Sequence, residues 1–275
     1  MKIRLGPSGI PISCDCGSSI EGVKKVAELG LSAMEISFTH GIHMSLETAK
    51  EVGKVAKNFD VELSIHVPYF VNLASETEKI IKDSKRRIID SLERGVAMGA
   101  NVVAVHAGYY GKDKERANQM VLEACKDISD KMDSNGWNID FGLETMGKQK
   151  SWGTLDEIIN VCKKVKHVIP YLDAAHLYAL QGGQIDYKKI FDKLEVLNLK
   201  KIYSHFSGIK YSLVGIGRGN EKNHVPMKEA GPNFIDFAKE ILKRKFDITI
   251  ISESPILEID SLLMREIFEK LGYEF

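Results

Sequence analysis

Val102-Val-Ala-Val-His-Ala107 sets four apolar residues in a row and then a histidine. A run this short and this rich in β-branched valine reads as a strand buried on both faces, as parallel sheets require. Working outward, segments of the same kind recur at Ile3–Gly6, Ala33–Phe38, Val61–Val67, Ile139–Thr145, Val168–Ala174, Lys201–Phe206 and Ile248–Glu253, making eight strands. Longer helical patterns lie between them. Ser75-Glu-Thr-Glu78 reads as a capping box opening a helix to about Met98, with Ile81, Ile88, Leu92 and Val96 as its buried stripe. Thr154-Leu-Asp-Glu157 reads as a second capping box and Ser45-Leu-Glu-Thr48 as a weaker helix start. Alternating strands and helices imply a parallel sheet with right-handed crossovers. Eight such units predict an α/β chain whose residues 1–275 close into a single (β/α)8 barrel, with an open doubly wound sheet as the alternative. No Pro- or Ser-rich linker divides the chain.

Composition excludes several roles. Hydrophobic residues make up 44% and charged residues 28%, enough for both a core and a solvated surface. The formal net charge of zero counts against a large basic footprint for nucleic acid or an anionic membrane. The opening MKIRLGPSGIPIS lacks the apolar run of a signal peptide, and no stretch approaches the ~18 apolar residues of a membrane span. Cys14, Cys16, Cys125 and Cys162 show neither disulfide-scaffold density nor paired CxxC spacing, which fits a reducing cytoplasm. Cys14 and Cys16 read as unpaired thiols in the loop after the first strand, and the chain is expected to be a cytoplasmic monomer.

The strand ends carry the chemistry. The third strand ends at His66, the fourth at His106, the fifth at Glu144, and the sixth at Asp173 with His176 just beyond. The seventh ends near His205 and the eighth at Glu253. In a barrel these ends converge on one mouth. Any one such residue is more often a hydrogen-bonded core group than a ligand, but seven together, without Lys or Arg among them, would be costly to bury unless divalent cations pair the carboxylates. Four imidazoles, with His224 a fifth, and three carboxylates suit Zn2+, with Mn2+, Fe2+ or Co2+ as competitors. A catalytic zinc uses three protein ligands plus water, so this set implies at least two ions, bridged by Glu144 in the middle of the strand order. Two such ions can activate water to hydroxide and stabilise a phosphoryl transition state.

The segments HVPYFVNLAS (His66–Ser75), VVAVHAG (Val102–Gly108), FGLETMGKQKSWG (Phe141–Gly153), YLDAAH (Tyr171–His176), SHFSGI (Ser204–Ile209) and ISESP (Ile251–Pro255) resemble the endonuclease IV family of apurinic/apyrimidinic endonucleases, in order and over nearly the whole chain. The resemblance implies a TIM barrel like that of xylose isomerase, three zinc ions, and cleavage of double-stranded DNA 5′ to abasic sites in base excision repair. It makes His66, His106, Glu144, Asp173, His176, His205, His224 and Glu253 metal ligands, with Glu144 bridging. Within GNEKNHVPM (Gly219–Met227), Lys222 stands where the family has an Asp ligand, with Glu221 one residue out of phase. Two metals are thus expected to bind firmly and the third site to be weak. Either Lys222 contacts the scissile phosphate in that ion's stead, or the loop shifts and Glu221 coordinates.

Other features bear on substrate. Tyr69-Phe70 packs over the rim or, as the resemblance implies, inserts into DNA beside the lesion. The loop SFTHGIH (Ser37–His43) lacks the Arg that the family places there, and His40 and His43 read as surface residues. Lys85-Arg86-Arg87 and Lys243-Arg244-Lys245 read as solvated helix faces away from the mouth, and Gly215–Gly219 as a flexible rim loop. A sugar isomerase or epimerase with one metal on Glu144, Asp173, His205 and Glu253 is the alternative activity. Such an enzyme has no need of His66, His106 and His176. A barrel used only for binding is disfavoured by the intact ligand set.

Overall fold

The structure, a computed structural model, describes residues 1–39 and 41–275, so the expectation for His40 lies outside the described residues. In chain order the elements are β1 (Ile3–Pro7), α1 (Ser19–Glu28), β2 (Ala33–Ser37), α2 (Leu46–Asn58), β3 (Glu62–His66), α3 (Glu78–Met98), β4 (Val102–Val105) and α4 (Lys114–Ser134). They continue with β5 (Asp140–Glu144), α5 (Leu155–Cys162), β6 (Val168–Asp173), α6 (Ala174–Leu180), α7 (Tyr187–Glu195), β7 (Ile202–Phe206), β8 (Gly208–Gly215) and β9 (Arg218–Val225). The last three are α8 (Phe234–Arg244), β10 (Ile248–Ser252) and α9 (Glu258–Lys270). Eight strands form one sheet in the order β1-β10-β7-β6-β5-β4-β3-β2, every neighbouring pair parallel. The ring is nearly closed where Ser32 N–H donates to Leu5 O at 3.0 Å and Ser8 bridges Glu35. Gly6 permits that approach, since a Cβ there would lie 1.6 Å from Ala33 O.

Strand parity then sorts the side chains. Leu63, Ile65, Val103, Val105, Leu143, Leu172, Ile248 and Ile250 join the core beneath the helices. The alternate residues face the barrel interior, where Val102, Ala104, Tyr171 and Tyr203 form a separate cluster. Continuing this inward parity one or two residues further brings His66, His106, Glu144, Asp173, His205 and Glu253 to the mouth.

Four local expectations change. Ser75 does not cap α3: its Oγ accepts Thr77 N–H at 3.1 Å in a tight turn, and the helix begins at Glu78 behind Thr77, which makes no side-chain cap bond. The buried face of α3 is Ser84, Ile88, Ser91, Leu92, Gly95 and Met98, whereas Val96 is exposed. Small residues lie on that face because Ile139, Val103 and Ile65 press against Gly95. Residues 215–219, read as a rim loop, form the tip of an antiparallel β8–β9 ribbon. The capping box at Thr154 and the Ser45 cap form as expected. Cys14 and Cys16 are joined as a disulfide rather than standing as two thiols. Among the described residues no helix is long and apolar enough to cross a membrane.

Candidate metal centre

Each expected ligand is set by its element. His66, Glu144 and Asp173 are the last residues of β3, β5 and β6, His205 lies in β7, and His106 and Glu253 follow β4 and β10. Asp173 also caps α6, its Oδ1 accepting His176 N–H at 2.6 Å, which sets His176 in the helix's first turn. His224 comes from β9, paired with Ile209 across the ribbon. The ribbon is fixed to the β5 side of the mouth. Gln149 accepts from Arg218 Nε at 3.0 Å and donates to Leu180 O and Gly219 O, while its backbone N–H reaches Asn220 Oδ1 at 2.8 Å.

The eight side chains converge. His66, His106 and Glu144 form one group, Asp173, His176 and His224 a second, and Glu144, Asp173, His205 and Glu253 a third, with ligand atoms in each group within 4.8 Å of one another. Glu144 and Asp173 each belong to two groups. His66 Nε2 lies 3.2 Å from Glu144 Oε2 and His106 Nε2 lies 3.1 Å from Glu144 Oε1. His205 Nδ1 is 3.6 Å from Glu253 Oε2, and His224 Nε2 is 3.7 Å from the same oxygen. Neighbouring ligands on a tetrahedral zinc with ~2.05 Å bonds stand about 3.3 Å apart, so the spacings within each group fit a shared cation.

Hydrogen bonding gives an independent test. Among the described residues seven buried side-chain atoms lack a hydrogen-bond partner, and five of them are here: His106 Nε2, Glu144 Oε1, Asp173 Oδ2, His205 Nδ1 and Glu221 Oε2. Buried polar atoms are otherwise nearly always bonded. Lone pairs that face one another at about 3 Å without hydrogen-bond alignment suit a divalent cation, and the imidazole-rich donor set suits zinc or another transition ion better than calcium. The other ring nitrogens are tied down: His66 Nδ1 to Val67 O at 2.8 Å, His176 Nδ1 to Thr145 O at 2.9 Å and His224 Nδ1 to Ser207 Oγ at 2.6 Å. Such bonds fix tautomer and ring orientation.

Electrostatics agree. Burial opposes ionisation throughout, yet His106 and His205 hold the Glu144 carboxyl well below the usual range. Glu144 in turn outweighs burial at His66 and raises its imidazole to about 9. His176 and His205 are likewise raised by the carboxylates around them, whereas burial wins at Asp173 and lifts it. These carboxylates require positive charge nearby. Protonated imidazoles can supply it, and a bound dication would take over that role.

Glu221 and Lys222 separate cleanly. Glu221 Oε2 points into the cluster, 2.9 Å from His176 Nε2, and its Oε1 is 3.1 Å from Lys148 Nζ. Burial would raise the Glu221 carboxyl, but His176 and Lys148 hold it at about 2. A Cβ on residue 147 would stand 2.0 Å from Glu221 Oε2, so Gly147 leaves the space that this carboxylate fills. Lys222 is exposed.

At the rim Tyr69 and Phe70 are 57% and 69% exposed, unlike packed core aromatics. The Tyr69 ring lies 6.0 Å from that of His66. Arg87, expected to face away from the mouth, instead donates to Phe70 O at 3.0 Å and holds this loop. Lys85 pairs with Asp127, and Arg244 with Asp192, Glu195 and Glu240. His43 is exposed. A cavity of ≈ 410 Å3 opens between Tyr69, His106, Glu221, His224 and Glu253. A larger cleft of ≈ 660 Å3 lies beside Arg4 and Lys57, but none of the orphaned atoms lines it.

Sequence reasoning did not anticipate Glu35. It is fully buried, and its carboxylate meets His205 Nε2, Ser8 Oγ, Ser64 Oγ and Tyr171 Oη. Burial would raise it, but His205 chiefly holds it at about 2. The available signal was an acidic residue at inward parity in the otherwise uncharged second strand.

Comparison with known proteins places the fold. The profile of the family described as xylose isomerase-like TIM barrel matches residues 23–267. An uncharacterised protein of Methanocaldococcus jannaschii is 33% identical over 280 residues, covering 98% of each chain. A probable endonuclease 4 of Cenarchaeum symbiosum is 25% identical over 270 residues, covering 88% of this chain and 93% of that protein. Among solved structures, a D-tagatose 3-epimerase-like protein matches with a TM-score of 0.75 at 21% identity, over 98% of this chain and 96% of that one. Endonuclease IV from Thermus thermophilus matches with a TM-score of 0.70 at 20% identity, over 97% and 98%.

Proposed function

The chain belongs to the xylose isomerase-like TIM barrel family, and within it we propose a metal-dependent phosphodiester hydrolase that cuts the DNA backbone 5′ to abasic sites. The observation that carries this reading is the number of ligand groups. A one-metal sugar isomerase or epimerase needs Glu144, Asp173, His205 and Glu253 alone, and here two further groups built on His66, His106, His176 and His224 adjoin them. The four-residue group by itself supports the epimerase alternative, since the same barrel occurs in an epimerase-like structure.

In the proposed assignment His66, His106, Glu144, Asp173, His176, His205, His224 and Glu253 hold zinc, with manganese as a competitor, and Glu221 replaces the carboxylate missing at Lys222. Bound dications would neutralise charge on a phosphoryl group and lower the pKa of water. The protein's own contribution is positional. Glu144 presents one oxygen to His66 and the other to His106 and His205. Tyr69 and Phe70 offer an apolar wedge beside the cavity, where an abasic gap opens the base stack most cheaply. Net neutrality is no obstacle, because cations loaded at the mouth make that face locally positive.

The test is incubation of metal-replete protein with duplex DNA carrying one abasic site, with and without chelator. Chelator-sensitive incision 5′ to the site is expected. No incision, together with interconversion of ketose epimers, would replace this reading with the alternative.

A further inference from the structure

His205 differs from the other oriented imidazoles. His66, His176 and His224 each bind a protein oxygen through Nδ1. His205 is turned the other way: Nε2 lies 3.1 Å from both carboxylate oxygens of Glu35, while Nδ1 is an orphaned atom facing Glu144 Oε1 at 3.4 Å and Glu253 Oε2 at 3.6 Å. Glu35 itself has no role in any ligand group. Its side chain is out of reach of solvent and held by Ser8 Oγ at 2.9 Å, Ser64 Oγ at 3.1 Å and Tyr171 Oη at 3.3 Å. Its register is equally fixed, because Ser64 stands beside it on β3 and Ser8, just past β1, bridges it on the other side.

We propose that Glu35 is a positioning residue for metal binding, which accepts the Nε2 proton of His205 and thereby aims the Nδ1 lone pair at the ion held with Glu144, Asp173 and Glu253. The physical reason is the tautomer. A neutral imidazole carries one N–H and one lone pair, and a carboxylate can only accept, so Glu35 requires the proton on Nε2. The same contact makes the ring a better donor to a cation, since carboxylate partners raise ligand basicity. Three anchoring hydroxyls direct the carboxylate at the imidazole and keep it from turning to the ions itself. This inference rests on the metal-centre reading, and its test separates the two.

Cobalt(II) reports occupancy through its visible absorption. Apo protein and its Glu35→Gln variant are titrated with cobalt, with circular dichroism as the check on folding. The variant is expected to fold, to bind one ion 10- to 100-fold more weakly with an altered spectrum for that ion, and to keep the remaining ions. Unchanged affinity and spectrum would overturn the proposal, as would equal weakening of all ions in a folded variant. A second measurement needs no variant at position 35. In zinc-loaded protein labelled with 15N-histidine, the His205 signals, assigned by loss in His205→Gln, should show a proton on Nε2 and a metal-bound Nδ1. The reverse tautomer overturns the proposal even if Glu35→Gln fails to fold. Wild-type protein that takes up no metal overturns both the proposal and the reading beneath it.

Discussion

The two ends of the barrel bury ionisable groups in opposite ways. At the floor, where the strands begin, Arg4 donates to Asp60 Oδ1 at 2.6 Å and lies 3.5 Å from Glu62. Glu62 also accepts from Lys201 and from Thr249 Oγ1. Cations and anions there are matched within the protein, and no orphaned atom remains among the described residues. At the mouth, carboxylates from Glu35, Glu144, Asp173, Glu221 and Glu253 face imidazoles; among the described residues Lys148 is the one ammonium paired there, and five atoms lack partners. The same barrel thus pairs its charges with lysine and arginine at one end and, a few residues along the strands, leaves carboxylates to imidazoles in clusters that could hold cations.

The sharpest way to break this comparison is Glu144→Gln. The amide keeps the shape but loses the charge shared by two groups, so incision should fall by several orders of magnitude and at least one equivalent of metal should be lost, while circular dichroism stays native. Near-normal turnover would show that the mouth does not depend on this carboxylate.

At the floor the effect should be on stability alone. Glu62→Gln removes the carboxylate that Arg4 and Lys201 share, while Arg4 keeps Asp60, which should cost about 1.5–3 kcal/mol in chemical denaturation. Metal stoichiometry by elemental analysis should not change. A loss of metal would mean that the two ends are coupled.

Substrate recognition gives a smaller effect. Tyr69→Ala with Phe70→Ala should weaken binding to abasic duplex by roughly a few kcal/mol and to intact duplex much less, measured by fluorescence anisotropy at fixed salt. Equal weakening on both DNAs would reduce the pair to generic contacts.

The smallest effects separate two adjacent residues. Glu221→Ala should release one equivalent of metal or leave it easily chelated, because it removes the carboxylate that faces His176. Lys222→Ala should leave stoichiometry unchanged and alter stability by no more than about 0.5 kcal/mol, as for an exposed side chain. A lost ion with Lys222→Ala and none with Glu221→Ala would invert the assignment.

The strands were legible because a buried parallel strand must be apolar on both faces, and their ends could be read to within a residue or two. The expected ligands were legible for a related reason: an ionisable residue closing an apolar run is chemically conspicuous. The ribbon was missed because RGNEKNHV carries polar residues on both faces, as a two-stranded element exposed to solvent permits, although Ile209, Tyr211 and Leu213 in GIKYSLVG do alternate with Lys210 and Ser212. Val96 was misplaced because helical spacing gives a stripe but not which edge of it meets the sheet. Ser75 was misread because its hydroxyl satisfied a nearer amide.

By itself the sequence determined the eightfold alternation, its inward parity and the residue types at the strand ends, since those follow from local hydrophobic period and from the scarcity of buried charge. Tertiary structure alone decided that Glu221 rather than Lys222 faces His176, that Glu35 meets His205 from another strand, and which ring nitrogen each histidine presents. Those choices depend on hydrogen bonds between residues as much as 170 positions apart, and on the space beside Gly147, and neither is a property of any local stretch of chain.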